Sequence, residues 1–349
     1  DAYARVSGEL GVLFTSTGPG AANAAGALVE ARFAGTPMLH LTGQTATPNM
    51  DLGQGAVHDV PDQLGMLKSV SKTAFRVRSA ASAFGTLVKA ATAAMTPPMG
   101  PVSVEIPIDI QRTKIPRPAE LATLRLAIPI ANPGDAETLD EIASRLKAAK
   151  RPLLWVGNGA KFAGTSVARL VDLGIPVITS WNGRGVLPED HPMSLASTAT
   201  TTEVGEFLKT VDLMIVAGGR LRGHETADMG MPLPDNMIQI DVDPAANGRT
   251  YTSMLFHCAE AGAALSAIAD RLTASGGLSL DPALSADVEA AKADAYENYP
   301  KAFGPYASFP TQMRAAMPRD AVFVRDITLN NSTWGNRVLP LYNPRDNVY

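Results

Sequence analysis

Three glycine-bearing turns and one loop histidine are the residues whose types and spacing could do chemistry. The first turn, Gly18-Pro19-Gly20-Ala21-Ala22-Asn23, joins the apolar run Gly11 to Thr15 to the Ala- and Leu-rich run Ala21 to Phe33. Such a strand–turn–helix junction offers unpaired N–H groups at the helix start to a polar ligand. It differs from a dinucleotide fingerprint in two ways. Asn23 stands where a third glycine is needed, and the next strand, Met38 to Thr42, ends in Gly43-Gln44 with no carboxylate for a ribose. A tight βα turn that needs small residues explains the spacing equally well. His58 lies in the long loop Thr45 to Pro61, and an imidazole can both give and take a proton, so it is a candidate proton donor or acceptor. A solvated loop histidine is the plainer reading.

The second turn, Gly157-Asn158-Gly159-Ala160-Lys161, lacks the second Gly-Lys-Ser/Thr of a phosphate loop. Gly218-Gly219-Arg220 and Asp241-Val242-Asp243-Pro244 end two further strand-like runs, at the edge where open sheets take ligands. Gly157, Gly218, Arg220, Asp241 and Asp243 are therefore candidates for a nucleotide-sized pocket, with packing as the alternative. His224-Glu225-Thr226-Ala227-Asp228 echoes a metal-binding helix but has Asp for the second His and glycines on both sides, so no metal ligands are assigned. No Gly-x-Ser-x-Gly elbow occurs. His40, inside a strand, reads as a hydrogen-bonded core residue.

The elements that must hold these residues alternate strand and helix along the 349-residue chain, which predicts α/β architecture with mostly parallel sheets. The expected layout is two doubly wound open parallel-sheet domains plus the beginning of a third. The expected boundaries are 1–115, a proline-rich linker at 116–134, a second domain at 135–275, an alanine-rich connector at 276–308 and a partial third domain at 309–349. A length of 349 suits two to three domains at roughly 150 residues each. The net charge of −4 argues against a nucleic-acid binder, and the single Cys258 against a disulfide scaffold. No run approaches the ~20 apolar residues of a membrane span, and a cytoplasmic protein is expected.

The ordered fragments resemble the thiamine-diphosphate-dependent enzymes of the acetolactate synthase and 2-oxo acid decarboxylase group. The resemblance is carried by Ala2-Tyr3-Ala4-Arg5, Thr15 to Asn23, Gly35-Thr36-Pro37-Met38 and Thr42-Gly43-Gln44. It continues through Gly100-Pro101-Val102, Ile106 to Asp109, Gly174 to Val177 and Ile240 to Asp243. Each fragment is weak alone; their order over about 250 residues is specific.

The resemblance implies an aminopyrimidine-binding domain, a central domain and a diphosphate-binding domain, with the catalytic centre formed between subunits of at least a homodimer. Gly18, Pro19, Gly20 and Asn23 then match the aminopyrimidine wall. Thr328, Asn330 and Asn331 match a diphosphate-facing loop, and His58 matches a glutamine close to the cofactor, preceded here by Val57 where Phe is usual. That departure weighs against the acetolactate synthase reaction in particular. Thiamine diphosphate and Mg²⁺ are the implied cofactors. FAD is not expected, because Leu221-Arg222-Gly223-His224 replaces the Phe-Asp-Asp-Arg run of flavin-containing relatives.

The family glutamate that engages the aminopyrimidine falls before Ala2, and no Gly-Asp-Gly metal anchor occurs in the chain. The expectation is a piece of a longer carboligase or decarboxylase acting on 2-oxo acids or aldehydes, inactive by itself. The rival from another class is a non-catalytic module holding a flavin or nicotinamide nucleotide.

Overall fold

The structure, a computed structural model, describes residues 1–326 and 333–348. The chain divides into two compact units, residues 1–130 and 131–349.

The first unit runs α1 (Ala2–Ser7), β1 (Gly11–Thr15), α2 (Pro19–Ala34), β2 (Met38–Gln44), α3 (Gln63–Val70), β3 (Thr73–Arg76), α4 (Ala80–Met95), β4 (Pro101–Pro107) and α5 (Ile108–Arg112). Its strands pair in the order β1-β2-β4-β3, all parallel, with Thr15 opposite Thr42 and Thr42 opposite Glu105. The two inner strands are almost wholly buried, which explains their near-continuous apolar runs, whereas β1 at the edge alternates buried and exposed. Helix α2 buries Ala21, Ala24, Leu28, Ala31 and Ala34 at helical spacing, and the four alanines let it lie close. Helix α4 starts at a reciprocal capping pair of Ser79 and Ser82 and packs Ala90, Ala91 and Ala94 on Leu39, Val102 and Val104.

The second unit runs α6 (Ala136–Ala148), β5 (Pro152–Val156), α7 (Gly164–Asp172), β6 (Val177–Thr179), α8 (Thr202–Leu208), β7 (Leu213–Ala217), β8 (Met237–Asp241) and β9 (Leu255–Cys258). There follow α9 (Ala261–Ala274), α10 (Leu284–Asn298), α11 (Phe309–Ala316), β10 (Phe323–Val324) and β11 (Asn347–Val348). The sheet order β6-β5-β7-β8-β9 is parallel throughout and reverses direction between β5 and β7. Because strand side chains alternate faces, Leu154 and Val156 of β5 join the core under α6, α7 and α9. Leu153 and Trp155 join the one under α8 and α10. Helices on both faces make the unit doubly wound.

The alanine-rich stretch 276–308 carries α10. Leu284, Val288, Ala291 and Ala295 of α10 are buried in the second core, because their spacing puts them on one helix face. Residues 309–326 and 333–348 fall within the same unit. Arg184 and Glu189, both fully buried, form a two-pronged ion pair with N···O distances of 2.7 and 2.6 Å. Arg184 also donates to the carbonyls of Gly335 (2.6 Å) and Leu339 (2.5 Å), and Glu189 accepts from the Leu341 N–H (2.8 Å).

Removing one charge of such a pair strands the other in a low dielectric, a cost of about 3 kcal/mol or more. Glu189→Gln should lower the stability of the second unit by about that amount in urea unfolding. An unchanged midpoint would mean that the pair does not hold residues 335–341 in place.

Candidate functional site

The C-terminal edge of the first sheet gathers the turn after β1, the end of β2 and the start of α3. Gly18 caps α2 at φ +58°, a left-handed conformation that glycine adopts without strain. A Cβ there would lie 2.3 Å from the carbonyl oxygen of His58, so the turn and the His58 loop touch through backbone. His58 is itself left-handed, at φ +62°, with an exposed side chain. Pro19 and Asn23 are exposed on the first turns of α2, and Gly20 is half-buried. The structure thus unites Gly18, Pro19, Gly20, Asn23 and His58 at one edge. Thr328, Asn330 and Asn331 lie outside the described residues.

Beneath this edge lies a group that motif reading missed. Glu105 of β4 is fully buried, and its carboxylate accepts from Gln44 Nε2 (3.1 Å), Gln63 Nε2 (3.0 Å) and the Arg76 guanidinium. Gln63, first residue of α3, also donates to the Gly43 carbonyl (2.9 Å). Its Oε1 accepts from the Gly18 N–H (2.7 Å) and the Thr17 hydroxyl (3.2 Å). Gln44 Oε1 accepts from the Thr45 N–H (2.7 Å), and Arg76 reaches on to Asp51 in the long loop (2.8 Å). The loop is tied at its start as well, where Asp109 accepts from the Thr47 N–H at 2.9 Å. One sequence signal was available: a lone Glu inside the apolar run Val102 to Ile108.

His40 sits one strand in. Its Nε2 meets Thr15 Oγ1 at 2.8 Å and its Nδ1 meets Ser103 Oγ at 3.0 Å, with Ser71 a further 2.7 Å beyond. Burial pulls its pKa down to about 4, so the ring is neutral at physiological pH, as a core histidine should be.

In the second unit the β5 and β7 turns meet at the reversal point. Gly157 N–H donates to Ala217 (2.9 Å) and Gly159 N–H to Gly218 (2.9 Å); a Cβ on Gly157 would lie 2.2 Å from the Gly218 carbonyl. Backbone fills the place where a ligand would enter such a sheet. Beside it is a cleft of about 240 Å³, open mouth included, lined by Arg220, Gln239, Arg249, Thr250 and Tyr251. Burial, with Arg222 and Arg249 nearby, holds the Arg220 pKa below its usual range, and burial raises the Asp241 carboxyl. Asp243 is held low by the Arg249 guanidinium 2.8 Å away. The His224 segment is a single 3₁₀ turn followed by left-handed Ala227, Asp228 and Met229, not a ligand-bearing helix. Among the described residues no group of three or more His, Cys, Asp or Glu could hold a metal ion. None of their helices is long and apolar enough to cross a membrane.

Open α/β units with a glycine-turn edge of this kind define a class of ligand-binding chains that the comparisons narrow to one family. The model described as "Thiamine pyrophosphate enzyme, N-terminal TPP binding domain" matches residues 1–66. "Thiamine pyrophosphate enzyme, central domain" matches residues 139–268. The chain is 28% identical over 338 residues to a probable 2-ketoarginine decarboxylase of Pseudomonas aeruginosa, covering 94% of this chain and 58% of that protein. It is 30% identical over 258 residues to a probable acetolactate synthase large subunit of Methanocaldococcus jannaschii, covering 71% and 43%. It is 31% identical over 258 residues to the acetolactate synthase large subunit of Corynebacterium glutamicum, covering 71% and 40%. The chain belongs to the thiamine pyrophosphate-dependent enzyme family, and it spans 40–58% of the length of these relatives.

Two measurements check the geometry. Gly18→Ala places a methyl group on the His58 carbonyl at positive φ and should destabilise the first unit by about 1–3 kcal/mol. A neutral change in denaturant midpoint would contradict the contact. For His40, the unfolded chain binds a proton near pH 6.5 and the folded chain only near pH 4. Stability is therefore full above pH 6.5, falls as pH drops toward 4 by up to about 3 kcal/mol, and then levels. Unfolding midpoints of wild type and His40→Gln across pH 4–7 should diverge in slope; parallel profiles would refute the assignment.

Proposed function

We propose that this chain contributes its two units to a thiamine-diphosphate-dependent carboligase or decarboxylase acting on a 2-oxo acid or an aldehyde. The observation that carries the reading is the contact of the Gly18 turn with the His58 loop, in a chain whose first 66 residues match a thiamine pyrophosphate-binding domain. The relatives' names, a decarboxylase and acetolactate synthases, support cleavage or formation of a carbon–carbon bond beside a carbonyl.

The residues present fit the aminopyrimidine side of the cofactor. Pro19 and Asn23 stand exposed on the first turns of α2, and the residues between them are glycine and alanine. When bound, thiamine diphosphate supplies the carbon nucleophile and the electron sink. The protein's part is orientation: Gly18, Pro19, Gly20 and Asn23 form the wall, and His58 holds or moves a proton on the substrate carbonyl. The active assembly is proposed to comprise two or more copies of the full-length protein.

Flavin is a poor fit. The reversal point between β5 and β7 is filled by backbone, and the neighbouring cleft encloses only about 10 Å³, room for about one water molecule. Gly157, Gly218, Arg220, Asp241 and Asp243 are accordingly assigned to packing and to the electrostatics of the sheet edge. A non-catalytic flavin or nicotinamide module gains no support from that cleft.

The full-length protein with thiamine diphosphate and Mg²⁺ should release CO₂ from pyruvate, benzoylformate or a basic 2-oxo acid such as 2-ketoarginine. His58→Ala should lower kcat by about 10- to 100-fold. No turnover with any 2-oxo acid or aldehyde would overturn the reading, and unchanged kcat in the variant would remove His58 from it. Release of a yellow chromophore on denaturation would favour the flavin module instead.

A further inference from the structure

We propose that Glu105 is a positioning residue for the Gly18–Asn23 wall and the His58 loop, acting through Gln63 and Arg76 without touching substrate or cofactor. The proposal rests on the reading of that wall as the cofactor's aminopyrimidine side.

The argument begins with what a carboxylate can do. An ionised carboxylate only accepts hydrogen bonds, while a glutamine amide donates from one end and accepts at the other. Glu105 receives Gln44, Gln63 and Arg76 together, so both amides must turn their NH₂ groups inward. Their carbonyl oxygens must then face outward, and both are used. Gln63 Oε1 takes the Gly18 N–H and the Thr17 hydroxyl; Gln44 Oε1 takes the Thr45 N–H. The buried charge therefore decides the orientation of two side chains, and each fixes the backbone of a segment that borders the site.

Arg76 extends the same control. Its guanidinium bridges Glu105 and Asp51, and Asp51 sits at φ +62° in the loop that carries His58. The loop is thus held at Thr45 and Asp51 through Glu105. Gln63 holds Gly18, against which the His58 carbonyl rests. Glutamine at position 105 would present its own NH₂ group, so at least one partner would face donor to donor. Methionine at position 63 keeps the shape and loses only the bonds to Glu105, Gly43, Thr17 and Gly18.

The test is hydrogen–deuterium exchange on the 349-residue chain, with thiamine diphosphate affinity and steady-state kinetics on the full-length protein. In Glu105→Gln, exchange in peptides covering Thr15–Asn23 and Thr45–Asp62 should rise at least about tenfold, while β5 to β9 stay unchanged. In Gln63→Met, which keeps the carboxylate, only the Thr15–Asn23 peptide should open and the Thr45 end should stay protected. Uniform loss of protection across β1 to β4 in both variants would show a merely structural residue and overturn the proposal, as would unchanged exchange in both peptides. If Glu105→Gln does not fold, the Gln63→Met pattern alone decides. In the full-length protein both variants should weaken thiamine diphosphate binding at least about tenfold, with a smaller change in the KM of the 2-oxo acid. The predicted exchange pattern with unaltered cofactor affinity and kcat would overturn the cofactor reading of the wall while the positioning geometry stood.

Discussion

The candidate site depends on a single constraint: a fully buried carboxylate must be met by hydrogen-bond donors on both of its oxygens. Glu105 meets it with two amides and a guanidinium, and the three donors come from the end of β2, the start of α3 and the end of β3. Hydrogen bonds to a charged group are worth about 1.5–3 kcal/mol each, so misplacing any of these segments costs more than a surface contact would. The turn at Gly18 and the loop at His58 inherit their positions from that requirement.

The second unit uses the same principle elsewhere. Arg184 and Glu189 are sealed from water and pair with one another, and both also bind the backbone of residues 335–341. In each unit a buried charge orders chain that has little regular structure of its own. The reversal point of the second sheet takes the opposite course. There glycines remove side chains so that two backbone turns can touch, which leaves little room for a ligand.

The alternation of apolar runs and small-residue helices made the two parallel sheets legible, because inner strands of such sheets are buried on both faces. The turn at Gly18 was legible too, as a place where small residues precede a helix. What it packs against was not. The contact with His58 spans forty residues and depends on two left-handed backbones, which spacing does not encode. Glu105 was visible as an odd residue in an apolar strand, but its meaning required Gln44, Gln63 and Arg76, three residues without a shared motif. Alanine serves equally in a solvated helix and in a close-packed one, so the burial of Leu284, Val288, Ala291 and Ala295 was not legible from composition.

The central claim is that the Gly18–Asn23 turn and the His58 loop together form one wall of the thiamine diphosphate site. A crystal structure of the full-length protein with thiamine diphosphate and Mg²⁺ tests it most directly. The account predicts the aminopyrimidine ring in van der Waals contact, about 4 Å, with Pro19 or Asn23, and the His58 imidazole facing the reactive end of the cofactor. A cofactor seated away from this edge, or a His58 side chain still turned to solvent with the cofactor bound, would contradict it.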